Sequence, residues 1–299
     1  MAQSPQDMWS QWLLHRRFGG DPQRMQEVMD CLYPIRDKVL SRIQLGNGET
    51  LLDVGCGDGL IAFGALDKFP TCRVIFSDIS DDLLRHAERL AQEMNVQERC
   101  QFAHASADDL SMFDDGSIDA VTTRSVLIYV SAKQRAFDEF YRVLRSPDGV
   151  SGKQNGVLSI FEPINRFAYP EPPQLFSGYS VTPVVEIANK VKAIYERLQP
   201  PDTDPMTDFD ERDLIACAEN AGFTQIGLEL QIEIKPPDSA SWEAFIHTAG
   251  NPKIPTLEEA MRQVLAPSER EAFIHHLRPL VESRQGQHRS ALVYLWAVK

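Results

Sequence analysis

The sequence predicts a doubly wound α/β fold, on three observations. Across residues 50–230, short runs rich in β-branched and aromatic residues alternate with amphipathic stretches of helical period. A glycine-rich turn, Gly55-Cys56-Gly57-Asp58-Gly59, ends the first such run and opens the helix after it. The chain has 299 residues, 43% of them apolar and 24% charged, which suits one large domain with additions. That composition excludes a collagen, a disordered chain and a disulfide scaffold. Strands alternating with helices imply crossovers that cover both faces of a mostly parallel sheet.

Residues 7–44 read as helices, because Trp9, Trp12 and Leu13, then Val28, Leu32, Ile35 and Val39, recur at helical spacing. Gly19-Gly20-Asp21-Pro22 breaks the run. Strands are predicted at 50–54, 73–77, 100–104, 118–123, 157–161 and 224–230, and the apolar stretch 290–298 makes a buried seventh. Helices fall between them near 60–68, 81–94, 132–144 and 211–221. Ser80 is placed to cap its helix, and Ser131 with Gln134 makes an S-x-x-Q capping box. Gly222 supplies the left-handed residue that ends the fourth of these helices.

Two segments interrupt this rhythm. Residues 163–183 hold five prolines and four aromatics, then pass into a helix carrying Val184, Ile187, Val191, Ile194 and Leu198. A long irregular loop of this kind is read as a lid over a site, its helix docking on the N-terminal helices. Residues 239–286 form a helical block with capping boxes at Thr256/Glu259 and Ser268/Glu271. The expected organisation is an N-terminal helical cap at 1–44, an α/β body at 45–236 plus 287–299 with its lid at 163–200, and a helical insertion at 237–286.

Charge and cysteine usage narrow the partners. Thirty Lys and Arg against 43 Asp and Glu give a formal net charge of −13. A polyanion binder needs a basic stripe, and the densest basic clusters, around Arg16-Arg17 and His275-His276, are short and isolated. Neither nucleic acid nor membrane is expected as a partner. The five cysteines show no C-x-x-C pair and the histidines no H-E-x-x-H, so neither a metal nor a disulfide framework is expected. No apolar run approaches the roughly 20 residues of a spanning helix, and the first residues do not pattern as a signal peptide. A cytoplasmic protein is the expectation.

The chemistry lies in Leu51-Leu52-Asp53-Val54-Gly55-Cys56-Gly57-Asp58-Gly59. Glycine permits positive φ and a close backbone approach to a ligand. A dinucleotide turn would need G-x-G-x-x-G, whereas here Gly55, Gly57 and Gly59 are followed by Leu60, with Asp53 two positions ahead. Together these resemble the first motif of the class I S-adenosylmethionine-dependent methyltransferase superfamily. The resemblance continues where the second strand ends in Asp78, with Ile79 after it, 23 positions beyond Gly55. A carboxylate there can accept both ribose hydroxyls. Ala107 and Asp108 match the segment that holds adenine. Ser117 to Ser125 look like the strand beneath the methionine portion, which brings Arg124 and Ser125 to the ligand. The stretch Asn220-Ala221-Gly222-Phe223 is similar to the turn into the sixth strand. Two departures are Ser106, where an acidic residue is common, and residues 146–155, which replace a short Pro-Gly-Gly turn.

The resemblance implies a Rossmann-like sheet of seven strands with the last antiparallel, S-adenosylmethionine as cofactor, and methyl transfer to an acceptor. The acidic charge and the lid point to a small-molecule acceptor. In-line displacement at a sulfonium needs alignment first, and a base only where the acceptor must lose a proton. Glu162, at the end of the fifth strand, is the first candidate for that base, followed by Tyr129 and His15. Tyr33, Phe167, Tyr169, Phe176 and Tyr179 are candidate acceptor-pocket aromatics. A protein or RNA methyltransferase, a non-catalytic S-adenosylmethionine-binding protein and a nucleotide-dependent oxidoreductase stay open as alternatives, and so does the oligomeric state.

Overall fold

The computed structural model describes residues 6–18, 22–146 and 155–299. The break at Gly19-Gly20-Asp21 and most of the 146–155 turn lie outside those residues. Five strands come first, β1 (Thr50–Val54), β2 (Arg73–Asp78), β3 (Cys100–His104), β4 (Ala120–Arg124) and β5 (Val157–Pro163). A small ribbon of β6 (Leu175–Phe176) and β7 (Tyr179–Ser180) follows, then β8 (Gln225–Lys235) and β9 (His288–Val298). All but the ribbon form one sheet of order β3-β2-β1-β4-β5-β9-β8. Strands β1 to β5 run parallel, and β9 lies antiparallel between β5 and β8, as the resemblance implied. The central strands β1 and β4 are covered on both faces, which is why they are buried along nearly their whole length rather than at alternate positions.

Helices cover both faces. A short α1 (Met8–Gln11) continues as a π-helical turn, Trp12–Arg16. Then α2 (Pro22–Ser41), α3 (Leu60–Lys68) and α4 (Asp81–Glu93) pack on one face, through residues such as Leu40, Ile61, Leu66 and Leu84. The other face takes α5 (Lys133–Val143), with Phe137 and Phe140 fully buried. The strand order reverses between β2-β1 and β4, and such a reversal opens a crevice beyond the carboxyl ends of the strands.

A third core stands apart from the sheet. It joins the ribbon to α6 (Val185–Leu198), and α7 (Glu211–Ala221) returns the chain to the sheet beside α5. The insertion then supplies α8 (Trp242–His247), α9 (Leu257–Val264) and α10 (Pro267–Glu282). Ala188, Val191 and Ile194 of α6 meet Leu257, Met261 and Phe273 in that core. The expectation that this helix docks on the N-terminal helices is therefore corrected. Those helices direct Val39 and Leu40 at the sheet, so the free apolar face of α6 finds the insertion instead.

Three of the caps that the sequence announces are formed. Ser80 accepts the Leu83 N–H at 3.1 Å, Thr256 with Glu259 forms a capping box, and Gly222 takes φ 106°. The other two boxes are corrected. Ala132 precedes α5 without a side-chain cap, and Gln134 turns to Asp138 and the Cys217 carbonyl. Pro267 fixes the first residue of α10, so Glu269 rather than Glu271 reaches back, to the Ala266 N–H at 3.1 Å. Pairing with the long β9 carries β8 on to Lys235, beyond the predicted 224–230.

Candidate active site

The glycine loop leaves β1 with φ of 65° at Gly55, 56° at Gly57 and 83° at Gly59. The glycines serve different ends. A Cβ on Gly55 would lie 2.4 Å from Val126, and one on Gly59 2.5 Å from Phe63, so packing already demands glycine there. At Gly57 the nearest atom is the flexible tip of Leu13 at 3.1 Å, and Gly57 faces an open cavity. Its N–H donates to Asp78 Oδ2 at 2.9 Å, and the Ser80 N–H donates to Oδ1 at 2.9 Å. The Ile79 N–H also bonds this carboxylate, and Asp78 lines the cavity. Burial pushes the Asp78 carboxyl above its usual range, against the pull of these N–H bonds. Asp53 is turned inward. It accepts the Thr122 hydroxyl at 2.8 Å and the Ala62 N–H at 3.2 Å, and burial pushes it up to about 7.

The cavity beside Gly57 holds about 680 Å³. Gly55, Gly57, Asp78 and Ile79 line one end, with Ala107 and Asp108 beside them. Arg124 and Ser125 enter from the end of β4. Cys56 and Gly59, also singled out from the sequence, support the loop without lining the cavity, and the same holds for Asp53. Ser106 donates to Asp108, while Asp109 is exposed and accepts the Ser111 N–H at 3.3 Å, so only Asp108 faces the cavity.

An N-terminal cap was expected from the sequence, but none of the cover residues Trp9, Trp12, Leu13 and Arg17 was singled out for it. Asp7 caps α1, and its other oxygen accepts the Ser80 hydroxyl at 2.6 Å, while its N–H donates to Asp82 at 2.8 Å. This clamps the N-terminal segment to the start of α4 and lays Trp9, Trp12, Leu13 and Arg17 over the cavity. Trp9 meets Tyr129 edge to face at 4.9 Å, and the Trp12 indole donates to the Ala249 carbonyl at 2.8 Å. Lys133 is buried at 8% exposure and donates to the Val130 and Pro205 carbonyls and to Asp208, holding the loop that carries Met206 into the cavity wall. Arg17 is pushed down to about 10 by burial and by Arg124, and its Nη1 has no hydrogen-bond partner among the described residues. Thr248 Oγ1, also in the wall, has none either. Unpartnered buried polar atoms are costly, and a ligand with matching groups satisfies them.

The candidate bases separate. Glu162 is wholly buried, does not line the cavity, and spends its carboxylate on the N–H groups of Val126, Leu127 and Ile128 at 2.9, 3.0 and 3.3 Å. Burial pushes it up to about 7. As a base in contact with an acceptor it is corrected; it holds the turn that carries Tyr129. His15 is exposed and outside the cavity, so it is corrected too. Tyr129 does line the cavity, and burial, then Glu162, raises its hydroxyl above the usual phenol range. None of Tyr33, Phe167, Tyr169, Phe176 and Tyr179 lines it, because Tyr33 is exposed, and Phe176 and Tyr179 fill the third core. Phe167 packs against the main core, and Tyr169 faces a second cavity.

Residues 51–149 match the family model described as a methyltransferase domain, across the glycine loop, Asp78, Asp108 and β4. This segment is a methyltransferase domain of the class I S-adenosylmethionine-dependent kind. Within this superfamily the chain is 29% identical, over 147 residues, to a ubiquinone/menaquinone biosynthesis C-methyltransferase of Rickettsia prowazekii, covering 45% of this chain and 57% of that one. It is 32% identical over 106 residues to the erythromycin 3''-O-methyltransferase of Saccharopolyspora erythraea, covering 36% of this chain and 34% of that one. The chain thus spans about half or less of these relatives' own lengths. The fold is shared with a geranyl diphosphate C-methyltransferase of Streptomyces coelicolor, at TM-score 0.53 and 16% identity over 95% of this chain and 88% of that one. The residues present fit S-adenosylmethionine, the cofactor of this kind of domain. Asp78 offers two carboxylate oxygens to vicinal hydroxyls, Gly57 leaves backbone open to the ligand, and Arg17 has an unpartnered N–H donor. Among the described residues there is no cluster of potential metal ligands, and no helix is long and apolar enough to cross a membrane.

Proposed function

We propose that this protein transfers the methyl group of S-adenosylmethionine to a small, largely apolar molecule by in-line displacement. The observation that carries the reading is a single cavity running from the Asp78 and Asp108 carboxylates to a wall of Trp9, Trp12, Tyr129 and Met206. When bound, the cofactor supplies an electrophilic methyl on a sulfonium. Asp78 holds its ribose, Asp108 meets its adenine, and Gly57 lets the chain approach closely. Arg17 and Arg124 present positive charge to its carboxylate. The tryptophans exclude water and align the acceptor, which alone supplies much of the acceleration of a displacement. The Tyr129 hydroxyl stays protonated at neutral pH, so it orients the acceptor as a donor rather than taking a proton. On this reading the division into a cap at 1–44, a body at 45–236 plus 287–299 and an insertion at 237–286 is functional. Cap, lid and insertion then enclose what the body activates.

Calorimetry with S-adenosylmethionine, followed by transfer of labelled methyl to a panel of small phenols, carboxylic acids and amines, tests the proposal. Micromolar binding and label in a small acceptor are expected. Binding with label passing only to protein or RNA would replace the acceptor class, and binding with no transfer to any acceptor would make the protein a non-catalytic binder.

A further inference from the structure

Beyond the methyl-transfer cavity lies a second one of about 440 Å³, between the lid segment and the insertion. The two share Asn165, Met206, Thr248 and Gly250, which form the partition between them. Across that partition the Asn165 side-chain amide donates to the Met206 carbonyl at 3.1 Å, which leaves the Met206 side chain as the part that can move. Met206 carries an adaptable thioether, and a Cβ on Gly250 would make only ordinary contact with Ile254, at 3.8 Å. The far chamber is walled by Phe176, Tyr195, Phe245 and Leu257, which give it an apolar body. Two buried hydroxyls, Tyr169 Oη in the far chamber and Thr248 Oγ1 in the partition, have no hydrogen-bond partner among the described residues. Buried hydroxyls left unpaired are rare in native proteins, and a pair of them along one apolar passage marks a place shaped for a ligand's oxygens.

We infer that the two chambers form one acceptor site, and that the substrate is an elongated molecule. Its reacting head lies in the near cavity, and its apolar tail, bearing one or more oxygens, passes Met206 and Gly250 into the far chamber. This rests on the methyltransferase reading and adds the acceptor's length and its point of selection. Gly250 becomes a specificity-determining residue, because a Cβ there meets nothing closer than Ile254 of the far chamber, so a larger side chain extends into the passage.

The test uses alkyl 4-hydroxybenzoates from methyl to octyl, titrated by calorimetry into the full-length protein saturated with S-adenosylhomocysteine. Each methylene buried in the far chamber is expected to raise affinity by up to about fourfold. In Gly250→Leu the short esters should bind as in wild type, and the gain with length should vanish. Met206→Ala should keep the gain, which guards against a fold defect in one variant. Affinity that fails to rise with length in the wild type, whether all esters bind alike or none binds, overturns the inference. So does a Gly250→Leu protein that retains the full gain. The affinity for S-adenosylhomocysteine is read separately, and its absence would count against the methyltransferase reading itself.

Discussion

The two sides of the cavity are built by different means. The floor is a run of local motifs on one sheet edge: the glycine loop, Asp78 at the end of β2, Ala107-Asp108 after β3, and Arg124 at the end of β4. Each is set by its own few residues, and parallel pairing brings them to one edge. The cover is assembled from distant pieces. Trp12 reaches Ala249, Asp7 reaches Ser80, and Lys133 reaches Pro205 and Asp208. Floor geometry can be shared across a superfamily, while a cover made of long-range contacts can be rebuilt around another acceptor without disturbing it.

Damage to the floor should be severe and confined to the cofactor. Gly57→Val forces a branched side chain into positive φ facing the ligand. Calorimetry should show S-adenosylmethionine affinity reduced at least about 100-fold while the circular dichroism spectrum stays folded. Binding at wild-type strength would mean that the turn is only structural. Asp78→Ala removes the ribose acceptor and should weaken the cofactor about 30- to 150-fold. A change below about threefold would reject that role.

Beneath the floor, Asp53 and Glu162 make stability depend on pH. Both carboxyls stand near 7 when folded, above their unfolded values, because burial disfavours the charged form. The native state therefore holds these protons more tightly than the unfolded chain does. That contribution is complete below about pH 4 and is lost as pH rises through about 7. Across pH 5 to 8 the wild-type Tm should fall by about 5 °C more than that of an Asp53→Asn/Glu162→Gln double variant. Parallel Tm curves would show that the two groups titrate alike in both states.

Changes in the cover should be milder and should leave the fold secure. Arg17→Met removes a buried charge with an unpartnered N–H, so the ligand-free protein should be no less stable. Cofactor affinity should drop about tenfold through the lost charge-assisted contact; unchanged affinity would place Arg17 on the acceptor instead. The smallest effect belongs to Trp12→Phe, which loses one hydrogen bond to Ala249, worth about 1 kcal/mol. A Tm lower by about 2 °C and faster amide exchange over 242–251 should follow. Equal exchange in both proteins would mean that the cover is held without that bond.

By itself the sequence determined whatever depends on near neighbours. Strand–helix alternation named the sheet and the sense of its last strand came with the resemblance. Glycine spacing separated this loop from a dinucleotide turn, and Ser80, Gly222 and Thr256 announced their caps. These signals work because dihedral preference, capping and side-chain period act within a few residues. Tertiary structure decided what each side chain meets. Ser80 is a cap in the sequence and also an anchor for Asp7 in the fold. Glu162 stands at the right strand end for a base, but three backbone N–H groups of a neighbouring turn claim its carboxylate first. Tyr179 looks like a pocket wall until α6 finds the insertion helices and draws it into a core with them. Trp9 and Trp12 look like part of an ordinary short helix until Asp7 fixes them over the cavity. Burial and partner choice follow from contacts between residues up to 243 positions apart, and no local pattern encodes which of two apolar faces will meet.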